Sequence, residues 1–158
     1  MYAFTLNLLL AIIWCLLQAE ISVVQLTLGY LLGLAVISFF PGLFGGRDYV
    51  RRLRALAFFF LVFAREFAES SLHLLRTCLF TRMSTLQPRI ITYNIAGLSK
   101  AEVLLLSHCI SLTPGTTTID VSQDFSELLL HVLDSADANA VRNHIDGTLK
   151  RGILAFTR

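Results

Sequence analysis

The chain has 158 residues, of which 55% are hydrophobic and only 15% charged, with a mean hydropathy of +0.68. Water-soluble domains use roughly 45–50% apolar residues, so the composition excludes an ordinary soluble domain and implies that part of the chain belongs in a membrane. The net charge of +2 conceals a division: residues 1–85 carry seven arginines against four acids, and residues 86–158 carry six basic groups against seven acidic ones.

The basic half is also the apolar half. That pairing suits an anchor whose flanks meet anionic head groups, and it argues against nucleic acid, which wants a basic folded face. Cys15, Cys78 and Cys109 are scattered, odd in number and without CxxC spacing, which predicts free thiols in a reducing compartment.

Residues 2–19 contain no charge and, at about 1.5 Å per residue, reach roughly 27 Å, near the hydrocarbon thickness. A signal peptide is the poorer reading, because no basic residue follows Met1 and no A-x-A site closes the run. A second uncharged run, residues 21–40, ends at Pro41-Gly42 and Gly45-Gly46, which stop helices and turn the chain. The two runs predict a tight transmembrane helical hairpin. Its second helix carries Gly29-x-x-x-Gly33 with Gln25 one turn earlier, a face of small residues with a hydrogen-bonding side chain for helix packing. Neither span contains Asp, Glu, Lys, Arg or His. Proton and cation routes are marked by such groups, which persist in lipid only where they carry charge, so this chain is not expected to translocate ions by itself.

Arg47, Arg51, Arg52 and Arg54 follow the second span, while only Glu20 stands in the opposite connection. The positive-inside tendency therefore makes residue 47 onward, and with it the N-terminus, cytoplasmic. Residues 55–64 are apolar but cover only about 15 Å, half of what a span requires. Continued to Thr81 as a helix, they place Arg65, Glu66, Glu69, Ser70, His73 and Arg76 on one face, with Phe63, Phe67, Leu72, Leu74, Leu75 and Leu79 mostly opposite. Residues 47–85 thus read as a basic loop and an amphipathic helix lying along the interface, with a tilted third span as the alternative.

From residue 86 the pattern alternates. Ile91, Tyr93 and Ile95 share one face of a strand. Ser99-Lys100-Ala101-Glu102 reads as a capping box opening a helix to about Ile110. That helix has almost no polar face, so its outer side is expected to pack on a partner or on the membrane half. Pro114 and Gly115 suit the central positions of a type II turn. Alternation resumes at Thr117, Ile119 and Val121, then at Leu128, Leu130 and Val132, predicting a hairpin. Ser135 is expected to cap a helix with Ala138, Val141, Ile145 and Leu149 inward, and Ile153 to Phe156 supply an optional final edge strand. The fold class is therefore a membrane hairpin, an interfacial helix and a small α+β ferredoxin-like domain, βαββα with an optional last strand, over 86–158.

Candidate chemistry is sparse. His108, Cys109 and His131 lack metal-ligand spacing, and packed or surface histidines are the better account. Asp120, Asp124, Asp134 and Asp137 fall at a strand face, a turn and a helix start, where carboxylates have structural roles. No phosphate loop or nucleophile elbow appears. The reading is of a non-enzyme without cofactor or metal, without a small-molecule substrate and without nucleic acid.

The stretch SLTPGTTTIDVSQDFSELLLHVLD, Ser111 to Asp134, resembles the signature of the E-type subunit of Mrp-type (Mnh or Pha) multisubunit monovalent cation/proton antiporters. The resemblance rests on the turn Leu112, Thr113, Pro114, Gly115, Thr116, on Ile119 to Val121 and on His131 to Asp134, and extends over essentially the whole chain. It departs at His108-Cys109, where family members often carry Ala-Asn. The resemblance implies an accessory subunit of a bacterial inner-membrane complex exchanging sodium or other monovalent cations for protons, its partners being the larger subunits that carry transport. The other reading, from a different class, is a free-standing membrane-tethered sensor or binding module.

Overall fold

In a computed structural model, residues 2–18, 21–40, 42, 46–135 and 137–158 are described, the Met83 side chain excepted. The chain divides into two compact units, 1–54 and 55–158.

The first unit holds helices α1 (Tyr2–Leu17) and α2 (Val23–Phe39), and the first turns of α3 (Gly46–Phe80). Ser22 caps α2 by accepting from the Gln25 N–H at 3.2 Å. Contacts between Asn7 and Gly33, Ala11 and Gly29, and Trp14 and Gln25 set α1 and α2 antiparallel. At 16 and 17 residues the two helices rise about 24 and 26 Å, and among the described residues no helix is long and apolar enough to cross a membrane. The expected turns at Pro41 and Gly45 and the connection at Glu20 lie outside the described residues. The basic stretch 47–54, expected as a loop, is instead helical. It contains no Gly or Pro, its arginines favour helix, and Arg51 pairs with Asp48 one turn back at 3.6 Å.

The second unit begins at Ala55, inside α3, whereas sequence alone starts the folded domain at 86. The reason is Phe59, 4% exposed, which packs with Phe63 and Phe156 and belongs to the domain's own core. Strands β1 (Arg89–Asn94), β2 (Thr116–Val121) and β3 (Glu127–Val132) form an antiparallel sheet ordered β1-β3-β2. Helix α4 (Lys100–Leu112) connects β1 to β2, the crossover of a split βαβ unit. One sheet face is buried through Ile91, Tyr93, Leu128, Leu130 and Val132 against Val103, Leu106 and Ile110 of α4. The other face is open.

Three expectations need correction. A bulge between Thr118 and Asp120 turns Ile119 outward, half exposed, so it leaves the core. The cap of α5 (Ala138–Ile145) is Asp137, whose carboxylate accepts from the Asn139 N–H at 2.8 Å; Ser135 instead donates to the Asp137 carbonyl. The final strand does not exist: a π-helical turn, Asp146–Lys150, leads into α6 (Arg151–Thr157). Ile145, Leu149 and Ile153 recur every four residues and bury together, continuing the helical stripe that a strand would break.

Candidate functional site

Within the first unit the packing seam is built from the small-residue face of α2. Gly29 lies against α1 so closely that a Cβ there would stand 2.9 Å from the Trp14 Cβ and 3.0 Å from the Ala11 Cα. At Gly33 an added Cβ would collide with the Asn7 side-chain oxygen. Gln25 Oε1 accepts the Trp14 indole N–H at 3.0 Å. The three residues singled out on α2 therefore all meet α1 of the same chain.

Asn7 is the polar residue that sequence reasoning missed. It is fully buried, and its amide donates to the Tyr49 hydroxyl at 3.0 Å. Tyr49 in turn shares a hydrogen bond with the Tyr30 hydroxyl. The Asn7 Oδ1 has no hydrogen-bond partner among the described residues and abuts the Gly33 backbone. An amide inside an uncharged run gives no charge signal, so only its position opposite a glycine exposes its role.

In the second unit the signature turn closes one end of a cleft of about 290 Å³. Thr113 caps α4, Pro114 leads the turn, and Gly115 adopts the left-handed φ of +96° that a type II turn needs at its third residue. The Thr116 N–H closes the turn onto the Thr113 carbonyl at 3.2 Å, and its hydroxyl donates to the Ile110 carbonyl at 2.9 Å. The Leu133 N–H donates to the Gly115 carbonyl at 2.9 Å, so the turn ties α4, β2 and β3 together. Leu112 itself is exposed.

The opposite wall of the cleft is the polar face of α3, with Glu66, Ser70, His73 and Thr77. Glu66 meets His144 of α5 at 2.7 Å. Sequence spacing could not reveal this pair, because 78 positions separate its members. Asp134, Thr113 and Thr116 add polar groups to the lining, and Leu74, Ile110, Val132, Leu133, Val141, Ile145 and Leu149 supply its apolar part.

Electrostatics concentrate in two further places. Glu102, the N3 residue of the capping box, is buried; Arg158 holds its carboxyl down to about 2, helped by the Ser99 N–H and the Thr157 hydroxyl. Tyr93 sits under the sheet with its hydroxyl donating to Asp146 at 2.6 Å. Burial, then the facing carboxylate, push its phenol above the ordinary value. Asp146 is itself raised by burial, but the Tyr93 hydroxyl and Lys150 more than offset this and hold it below its ordinary value.

The residues weighed for chemistry do not converge. His108 bonds the Leu104 carbonyl of its own helix at 2.7 Å, and Asp124 accepts from Ser126 in the β2–β3 loop. Asp134 accepts from the Gln87 N–H at 3.1 Å. Among the described residues no three His, Cys, Asp or Glu side chains are grouped as a metal would require.

Comparison with known proteins adds what geometry alone does not. A family model described as Na+/H+ ion antiporter subunit, MNHE, matches residues 7–156. The E-type subunit of the Na+/H+ antiporter of Alkalihalophilus pseudofirmus is 28% identical over 97% of this chain and 96% of its own length. Its Bacillus subtilis counterpart is 27% identical with the same coverage, 97% and 96%. In structure, a chain of the Mrp complex from Dietzia sp. DQ12-45-1b matches with a TM-score of 0.51 at 24% identity, covering 65% of this chain and 94% of that one. A chain of the membrane-bound sulfane sulfur reductase, an archaeal respiratory membrane complex, matches with a TM-score of 0.58 at 22% identity over 96% of both. At these identities the structural likeness speaks to the fold alone.

Proposed function

This chain belongs to the Na+/H+ ion antiporter subunit family matched by that model, and from that premise we propose that it is an accessory subunit of a Mrp-type complex, acting in assembly or stability and not as the ion path. The observation that carries the proposal is the chemistry of α1 and α2. They contain no Asp, Glu, Lys, Arg or His, and Asn7, Trp14 and Gln25 are engaged in holding helices to one another. An ion crossing here would find no group to exchange a proton with.

In this reading α1 and α2 lie in the bacterial inner membrane as a hairpin. Their length falls a few ångströms short of an average bilayer, a mismatch that lipid thinning accommodates at fractions of a kcal/mol per ångström. Arg47, Arg51 and Arg54 line a surface groove beside Ser38 at the start of α3, which supports a cytoplasmic position for that end and therefore for the N-terminus and the C-terminal domain. Helix α3 turns Phe58, Leu61, Leu72 and Leu79 outward, as a helix along the interface would.

The test is complementation. Deleting the chain should abolish sodium-for-proton exchange in membrane vesicles, and a copy with His108, His131, Asp120 and Asp124 replaced should restore it. Failure to restore would place chemistry in the domain. Exchange by the purified chain alone in liposomes would overturn the non-translocating role, and recovery of the chain alone after mild detergent extraction would favour a free-standing module. Thiol accessibility of cysteines placed at Ser126 and Glu20 reads the topology; a Ser126 label accessible only from outside refutes the orientation.

A further inference from the structure

The two edges of the sheet are finished differently. On β2, the outward N–H of Thr118 is taken by the Ser111 hydroxyl at 3.1 Å, and the bulge at Ile119 breaks the edge. Such devices prevent strand addition. On β1 the register is unbroken from Arg89 to Asn94, and the Ile95 N–H bonds the Ser126 carbonyl. Residues 95, 93, 91 and 89 therefore direct their backbone groups toward β3, and Ile90, Thr92 and Asn94 direct theirs away from it. The outward groups have a single hydrogen-bond partner among the described residues: the Arg142 guanidinium, whose Nε donates to the Thr92 carbonyl at 2.8 Å. In a βαββαβ fold a fourth strand would pair here. In this chain the segment that would supply it is α6, buried through Ile153.

We propose that the outer edge of β1 receives an extended segment of a neighbouring antiporter subunit, which adds a fourth strand and carries an aspartate or glutamate facing Arg142. This rests on the subunit reading above. Main-chain bonding at an open edge demands an extended partner. The charge demands an acidic one: Arg142 must leave the Thr92 carbonyl when a strand N–H takes its place, and with Arg89 at the head of β1 it makes this margin basic. A carboxylate on the incoming strand gives the displaced guanidinium a charge-assisted bond. A second copy of this chain fits poorly, since antiparallel pairing about Thr92 would bring two Arg142 guanidinium groups together. Ile90, 63% exposed on the open face, is the apolar neighbour for a side chain of the added strand.

The test uses the full chain in the intact complex, with a photo-crosslinking benzoylphenylalanine in place of Ile90 or Asn94. Both positions should crosslink to one acid-bearing segment of another subunit, identified by mass spectrometry. Thr92→Pro removes only an outward N–H, leaving the β1–β3 ladder whole, and should lower the yield at least tenfold, whereas Thr92→Val should keep it. Arg142→Glu, with co-purification of the complex as the control for folding, should also lower it at least tenfold. Undiminished yield in both variants, crosslinks to lipid or to a second copy, or crosslinks scattered over several subunits would overturn the proposal. Co-purification of the complex with no crosslink at either position sinks the edge pairing alone; failure of the unaltered chain to co-purify sinks the subunit reading itself.

Discussion

Phe58 and Phe59 are adjacent in an apolar run, yet the fold assigns them opposite roles, and truncating each in turn measures the difference. Phe59 is 4% exposed; its ring lies 5.5 Å from Phe156 and 6.1 Å from Phe63 between centroids, and touches the face of Gly152, where an added Cβ would stand 2.5 Å from the ring. Phe59→Ala removes a buried ring and leaves a cavity that Gly152 has no side chain to fill, so the expected cost is about 3–5 kcal/mol. Phe58 is 67% exposed, and Phe58→Ala should stay within about 0.5 kcal/mol. Cys109 supplies the assay, because it is buried in the same core and free. In a background where Cys15 and Cys78 are replaced by alanine, its labelling rate by a thiol reagent reports how often the domain opens. At roughly 1.4 kcal/mol per tenfold, Phe59→Ala should speed labelling by about two to three and a half orders of magnitude and Phe58→Ala by less than about threefold. Equal acceleration by both, or a larger effect at Phe58, would refute the placement of Phe59 in the core.

Gly33→Val should force α1 and α2 apart where Asn7 and Leu10 approach, at a cost of about 1–3 kcal/mol; faster reaction of Cys15, free and buried on α1, with a membrane-permeant thiol reagent reads it. Glu102 is held near 2 in the folded chain, against roughly 4.3 unfolded. Its contribution to stability is therefore complete above about pH 4.5 and lost as pH falls from about 4.3 through 2; Arg158→Ala should make the Cys109 labelling rate less steep across that window. Tyr93→Phe deletes the hydroxyl donated to Asp146 and should cost about 1 kcal/mol, with the Asp146 carboxyl moving up toward its ordinary value by NMR titration; an unmoved Asp146 would contradict the geometry.

Much of the domain could be read from alternation and capping. Ile91, Tyr93 and Ile95 and then Leu128, Leu130 and Val132 alternate and are buried, and Ser99 and Glu102 form both bonds of a capping box. The turn at Pro114-Gly115 was legible because a proline and a glycine each restrict or free one dihedral, a property of the residue and not of its neighbours. Where the reading failed, the signal was two-valued. Ile153 to Phe156 is a four-residue apolar run with no period of its own, and the preceding stripe decided it as helix. Ile119 fits an alternating pattern until a bulge shifts the pairing by one residue.

The long-range polar contacts had no sequence signal at all. Glu66 and His144, Asn7 and Tyr49, and Thr92 and Arg142 join residues whose local surroundings say nothing of one another. From its own order of residues this chain settles its apolar segments, its absence of charge within them, its Ser99–Glu102 capping box and its family, because each depends on residue type and short spacing. Which apolar side chain enters a core, which glycine receives a neighbour and which strand edge stays open were decided only by tertiary folding, since burial and proximity arise when distant segments meet.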